Sequence, residues 1–273
     1  LKILFLTQVL PYPLTSGAKI RAYYALRHLS ERHEITLVSF VRPDDEEAAV
    51  AHLASLCRAV HTVPMRRSPL KNVTSLVESA VSGRPAVILR DRLPSMERLL
   101  TGLVAQGGYD AVHADQTSMA QYALFARSAA PAGARPAAIL DQHNALYLLV
   151  ARQASYESWP WRALWRREAR ALAGYERDLV REFDQLLTVT EEDREALLAL
   201  HPEAARPGLA AKISPIPICV DTGSQPLLER KAGGRQIIHL GTMFWPPNIE
   251  GVLWFAQQVL PLVWQGAPEA RFV

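Results

Sequence analysis

Short apolar runs alternate with longer amphipathic stretches along most of the chain. The runs at residues 2–7, 34–41, 59–63, 111–114, 137–141, 185–189, 212–216 and 236–240 predict strands. Many lack a polar alternate position, the pattern of parallel strands covered by helices on both faces. Between them, residues 18–30, 44–56, 95–105, 118–127, 161–182, 191–200 and 249–263 predict helices. Strand–helix alternation of this kind predicts an α/β fold with a doubly wound parallel sheet. The pattern breaks at residues 218–235, where Asp221-Thr222-Gly223-Ser224-Gln225-Pro226 and Gly233-Gly234 read as an interdomain linker. Residues 1–217 then form a first domain, and 236–273 open a second one with strand, turn, helix and a further strand from Ala270. A unit of about forty residues buries too little surface to fold alone. The expectation is therefore a second domain of which only the start is encoded; the other reading adds these residues to the first sheet.

Composition narrows the classes. With 49% hydrophobic and 21% charged residues, the chain is neither collagen-like, disordered nor a disulfide scaffold. Thirty Lys and Arg against 27 Asp and Glu give a net charge of +3, too mild to imply a nucleic-acid partner. Cys57 and Cys219 form neither a CxxC nor a zinc pattern and fit a reducing compartment, with the cytoplasm as default. No apolar run reaches the roughly 18 residues that span a bilayer. Thr7 and Gln8 interrupt the first run and no A-x-A site follows, so it reads as a buried strand rather than a signal peptide.

In an open α/β sheet, ligands collect beyond the carboxyl ends of the strands. Ser16 and Gly17, after the first strand, open a helix whose free N–H groups suit a phosphate or carboxylate; ordinary N-capping by Ser16 explains the same residues. His113 and Asp115 end a short strand, where they move a proton or hold a sugar hydroxyl, or else form a capped helix start beside a half-buried His113. Asp141, Gln142, His143 and Asn144 end another strand and either line a cleft or shape the turn. Thr190 through Asp193, with Glu191 and Glu192 between, reads as a capping box variant whose acids suit the helix dipole. Gly241, Thr242 and Asn248 repeat the strand–turn–helix arrangement in the second unit, with Asn248 placed to cap the helix that follows. On the helix after Trp159-Pro160-Trp161, an aromatic-aliphatic face lies beside a stripe of Arg162, Arg166, Arg170, Arg177 and Arg181. Such a helix lies on an anionic membrane, or packs one face and solvates the other. Neither G-x-G-x-x-G nor G-x-x-x-x-G-K-[ST] occurs, which disfavours a nucleotide-sugar epimerase or Rossmann oxidoreductase.

Taken in order, KILFLTQVLPYPLTSGAKIRAYYALRHLSERHEITLVSF, DQHN, YERDLVREFDQLLTVTEEDREAL and HLGTMFWPPNIEGVLWFAQQVLPLV resemble the GT-B glycosyltransferases of the family 4 type, more narrowly bacterial sugar transferases of cell-envelope polysaccharide assembly. The resemblance implies two Rossmann-like domains across a cleft, acceptor in the first and nucleotide-sugar donor in the second. It implies retaining, metal-independent transfer to a glycan or lipid-linked acceptor, with the nucleotide sugar a substrate and no cofactor. It also implies a cytoplasmic protein, with peripheral contact at the inner membrane face as an option. Gly17 matches the glycine-bearing first loop, with Ser16 where a second glycine is common, and Arg21 follows in the same loop-helix unit. His113 matches the family's histidine region, with Asp115 in place of a second histidine; these two are the catalytic candidates. Asp141, His143, Asn144 and Glu191 join Ser16, Gly17 and Arg21 as acceptor or diphosphate-loop candidates. Gly241 matches the glycine opening the donor domain, with Thr242 and Asn248 near the places of its usual Arg and Lys. The family's E-x7-E motif would lie beyond Val273, so the 273-residue chain is expected to be inactive alone. The alternative is a non-catalytic α/β binding module.

Overall fold

The computed structural model describes residues 1–223, 234–241, 243 and 246–273. Two compact units are present, Leu1–Val220 and Asp221–Val273.

In the first unit, β1 (Lys2–Thr7), α1 (Gly17–Ser30), β2 (Glu34–Val41), α2 (Glu47–Ala54) and β3 (Ala59–Pro64) come first. Three helices follow, α3 (Pro69–Ser82), α4 (Ala86–Arg90) and α5 (Pro94–Gly107). Then come β4 (Ala111–Asp115), α6 (Ala120–Ala129), β5 (Ala137–Gln142), α7 (Leu146–Tyr156) and α8 (Trp161–Glu182). The unit closes with β6 (Gln185–Thr188), α9 (Glu191–Ala199), α10 (Arg206–Ala210) and β7 (Ile213–Pro215).

All seven strands pair in parallel, in the order β3-β2-β1-β4-β5-β6-β7. Winding proceeds outward from β1 in one direction and from β4 in the other, so the topological switch point lies between these two strands. This is the Rossmann-like, doubly wound sheet that the apolar runs predict. Two cores hold it. On one face Ile3, Phe5, Ile35 and Leu37 pack against Tyr23 and Leu26 of α1 and Leu53 of α2. On the other, Leu4, Leu6, Val112, Ala114 and Leu140 pack against α5, α6 and α8 through Leu100, Tyr122 and Leu179.

Four helices, α3, α4, α7 and α10, are absent from the sequence expectation. Two are five residues long, too short for periodicity to register. In α3 the buried residues are Ser75 and Ser79, the reverse of the usual pattern.

The second unit holds β8 (Gln236–Ile237) and β9 (Arg271–Phe272), paired in parallel, with α11 (Pro246–Trp254) and α12 (Leu260–Gly266) between them. The helix expected over 249–263 is interrupted by a π-helical turn at Phe255–Val259. Pro261, in the first turn of α12, has no N–H to give and clashes with the preceding turn, which widens it. Since α11 starts at Pro246, Asn248 stands inside its first turn instead of at the cap; prolines are tolerated there because those N–H groups have no helical partner.

Candidate active site

The register of β1, β4 and β5 aligns Thr7, Asp115 and Asp141 at the carboxyl edge of the sheet, across the switch point. One pleat repeat earlier, Phe5, His113 and Ile139 align in the same way. Residues two apart on a strand share a face, so all six point to the side that α1 covers. Thr7 and Asp115 are fully buried, and His113 and Asp141 nearly so.

Burying charges at such a place requires partners. Arg21 descends from α1 and donates from Nε and Nη2 to Asp141 Oδ1, 2.8 Å each, and from Nη1 to the Ile216 carbonyl at 2.5 Å. It therefore staples α1, β5 and the segment leaving β7. His143 Nε2 lies 2.9 Å from Asp115 Oδ1. The pair joins the turn after β5 to the end of β4. Burial pulls the His143 pKa down, but the hydrogen bond and charge of Asp115, with Asp141, outweigh it and leave the imidazole above its ordinary value despite Arg21. His113 behaves oppositely. It stacks on Phe5, ring centroids 4.4 Å apart, and burial drives its pKa down to about 4 against the pull of Asp115. It is thus a neutral, enclosed ring, which sets aside the alternative of a half-buried His113 beside a capped helix start. Asp115 caps no helix, since the next turn starts at Thr117 without a side-chain cap.

Thr7 Oγ1, His113 Nε2 and Asp115 Oδ2 are buried without a hydrogen-bond partner among the described residues. Buried polar groups of folded chains are nearly always paired, so three such atoms at neighbouring register positions leave this edge with unused hydrogen-bonding capacity. Gln116, immediately after Asp115, has φ 74° and ψ 153°, a region that essentially only glycine occupies without strain. Backbone strain collects at functional sites, and here it sets the direction in which the chain leaves β4.

The other candidates of the first unit lie in the turns and helix starts that follow β1, β5 and β6. Ser16 caps α1, accepting from Lys19 N at 3.4 Å, and Gly17 is exposed in its first turn. Asn144 is exposed, and its carbonyl accepts from Gln142 Nε2 at 3.1 Å. Glu191 is exposed and pairs with Arg194 in the first turn of α9. Thr190 caps that helix, exchanging hydrogen bonds with Asp193. Arg21 belongs to the charged cluster beneath the edge rather than to the exposed loop. In the second unit a side chain at Gly241 would meet His239 at 2.8 Å and Asn248 at 3.0 Å. Thr242 lies outside the described residues.

Two further residues hold the turn after β5: Glu176, which sequence reading does not single out, and Asp193, read there only as part of a capping box. Glu176 of α8 accepts from the backbone N–H of Leu146 (2.8 Å) and Tyr147 (2.9 Å) and from the Gln142 side chain. Asp193 Oδ1 accepts from Ala145 N at 2.8 Å. Together they fix the turn that carries His143. Asp115, Asp141 and His143 offer donor atoms within 4.8 Å of one another, a spacing that could hold a cation. Arg21 already places a guanidinium on Asp141, so the positive charge such a cluster needs comes from the chain itself.

No protein-family model matches the chain. No curated protein matches it. Among solved structures, the UGT2 of Phytolacca americana, complexed with UDP-2fluoro-glucose and pterostilbene, is similar with a TM-score of 0.52 and 13% identity over 89% of this chain. A UDP-glucosyltransferase from Polygonum tinctorium, capable of glucosylating indoxyl and solved with 3,4-dichloroaniline, gives a TM-score of 0.48 at 13% identity, again over 89% of this chain. The chain spans 60% and 59% of their lengths. At this identity the first likeness is one of fold, the Rossmann-like α/β architecture of GT-B glycosyltransferase structures.

Proposed function

We propose that the chain is part of a GT-B glycosyltransferase that moves a sugar from a nucleotide-sugar donor to an acceptor hydroxyl at the carboxyl edge of the first unit's sheet. The observation that carries this reading is the His143–Asp115 pair at the switch point of that fold. Asp115 accepts from Nε2, which leaves Nδ1 as the basic nitrogen, and no hydrogen bond engages it among the described residues. A histidine so held can take the proton of an attacking hydroxyl. The leaving diphosphate needs positive potential, and the exposed first turn of α1 at Ser16 and Gly17 offers backbone N–H groups for it. Gly241, Thr242 and Asn248 are the donor-side candidates. No cofactor takes part, and the nucleotide sugar, with a uridine diphosphate sugar first in line, is a substrate.

The resemblance adds finer points: a family 4-type enzyme of bacterial cell-envelope polysaccharide assembly, working in the cytoplasm on a glycan or lipid-linked acceptor, metal-independent and retaining. On stereochemistry a second reading has its own support. A general base aimed at the acceptor suits a single displacement, which inverts the anomeric centre, and His143 is held as such a base. The product anomer, read by NMR coupling constants, separates the two.

The test is a panel of UDP-, GDP-, ADP- and dTDP-sugars offered to the whole protein, with released nucleotide as the readout. Release with one donor class, stimulated by acceptor, is the expected result. Donor binding without turnover would instead favour a non-catalytic module, and neither binding nor release would remove the proposal.

A further inference from the structure

The first N–H groups of a helix have no helical partner and are ordinarily met by a Ser, Thr, Asp or Asn at the N-cap. α7 has Ala145 there, with no side chain to accept them. Two other helices supply the acceptors instead. Asp193 of α9 takes the Ala145 N–H. Glu176 of α8 takes the next two, Leu146 on Oε1 at 2.8 Å and Tyr147 on Oε2 at 2.9 Å. Glu176 Oε1 also accepts from the side chain of Gln142, the last residue of β5. One carboxylate therefore grips the chain on both sides of His143, at the residue just before it and at the helix that begins just after it. Gln142 also donates to the Asn144 carbonyl at 3.1 Å, which closes the turn around the histidine.

Another acid of α8 shows what a plain cap looks like. Glu168, two turns earlier, accepts from the Ala86 and Val87 N–H groups at 3.0 Å each, and α4, which it caps, carries no candidate residue. Glu176 repeats that pattern, adds a side chain from the sheet, and is fully buried. Burial opposes its charge and pushes the carboxyl up to about 7 against the N–H groups of Tyr147 and Leu146, with Asp193 adding to the rise. A local cap would hold α7 without that penalty; the buried acid ties the helix to the end of β5 as well. Three donors converge on its two oxygens, and only a carboxylate accepts from all of them. A glutamine at the same place has one acceptor oxygen and sets its own NH2 against donors.

We propose that Glu176 is a positioning residue for transfer, holding the turn from Gln142 to Tyr147 so that His143 presents Nε2 to Asp115 and leaves Nδ1 for the acceptor hydroxyl. Its catalytic meaning rests on the transfer reading above; its hold on the ring does not.

The test compares nitrogen NMR of the His143 ring, at a pH where it is neutral, with turnover of the whole protein. The variants are Glu176→Gln, Gln142→Leu, which cuts the link to β5 and spares the cap on α7, and Glu168→Gln. His143→Ala identifies the signal, and thermal melts confirm folding. The wild-type ring should be the tautomer protonated at Nε2. Glu176→Gln and Gln142→Leu should each mix the two tautomers and lower kcat about tenfold or more, with KM within about twofold. Glu168→Gln loses an equivalent cap and should change neither. A pure Nε2-protonated ring in both Glu176→Gln and Gln142→Leu, or the same mixing in Glu168→Gln, overturns the proposal. If His143→Ala transfers as fast as wild type, the transfer reading fails, and the ring signal, read without substrate, still decides whether Glu176 holds the histidine.

Discussion

Arg21 and Asp141 are 120 residues apart in the chain, yet their side chains meet at 2.8 Å beneath the carboxyl edge of the sheet. Both are almost wholly buried. A buried ion pair contributes little net stability, but removing one partner strands the other charge and costs about 3–5 kcal/mol. Arg21→Ala should therefore shift the urea midpoint strongly downward. Adding Asp141→Ala to it should restore part of the loss. A single variant as stable as wild type would show that the pair is not closed off from solvent.

Glu176 predicts a pH signature. Burial raises its pKa from 4.5 to about 7, against the backbone N–H groups of Tyr147 and Leu146 that favour its charge. Below pH 4.5 the group is protonated in folded and unfolded chains alike, and it costs nothing. As pH rises to 7 the unfolded chain releases the proton first, so stability falls, by about 3 kcal/mol, and then levels off. Glu176→Gln should remove that slope in denaturation curves taken across the same interval. An unchanged slope would assign it to another group.

The strained backbone of Gln116 invites a direct substitution. Glycine occupies φ 74°, ψ 153° without penalty, so Gln116→Gly should stabilise the fold by about 1 kcal/mol, after the entropy that glycine adds to the unfolded chain. Gln116→Ala keeps the strain and should gain nothing. Chemical denaturation of the two variants side by side checks the difference.

How much of this is legible in the sequence depends on what each residue answers to. The bounds of β1 and β2 follow from ILFL and ITLVSF, short runs whose length and β-branched and aromatic content suit a strand buried on both faces. The strand-end positions of His113, Asp115 and Asp141 follow from the same runs. The pairing of His143 with Asp115 does not, because it requires β4 and β5 to be neighbours in register. The span of α8 is readable from its aromatic-aliphatic periodicity. Its buried Glu168 and Glu176 are not, since an acid amid arginines looks solvated until the helix ends it caps are in place. α3 is unreadable for the opposite reason: its apolar residues do not face the core.

Arg21 also bears on metal dependence. With a guanidinium seated on Asp141, transfer should proceed unchanged in excess EDTA. A rate lost to chelation and restored by a divalent cation would show that Asp115, Asp141 and His143 bind metal in preference to the arginine.

The most direct measurement compares kcat/KM across pH for wild-type whole protein, His143→Ala, His113→Ala and Asp115→Asn, with nucleotide release as the signal. In the proposed mechanism a neutral His143 is the active form, so the wild-type rate should fall on the acid side at a pH above the ordinary histidine value. His143→Ala should lose about 100-fold or more and abolish that limb. Asp115→Asn should lower the rate and move the limb to more acid pH, because the charge that holds the imidazole proton is gone. His113→Ala, whose ring is already neutral, should leave the limb in place. A His143→Ala variant within a fewfold of wild type, with the limb intact, would contradict the account.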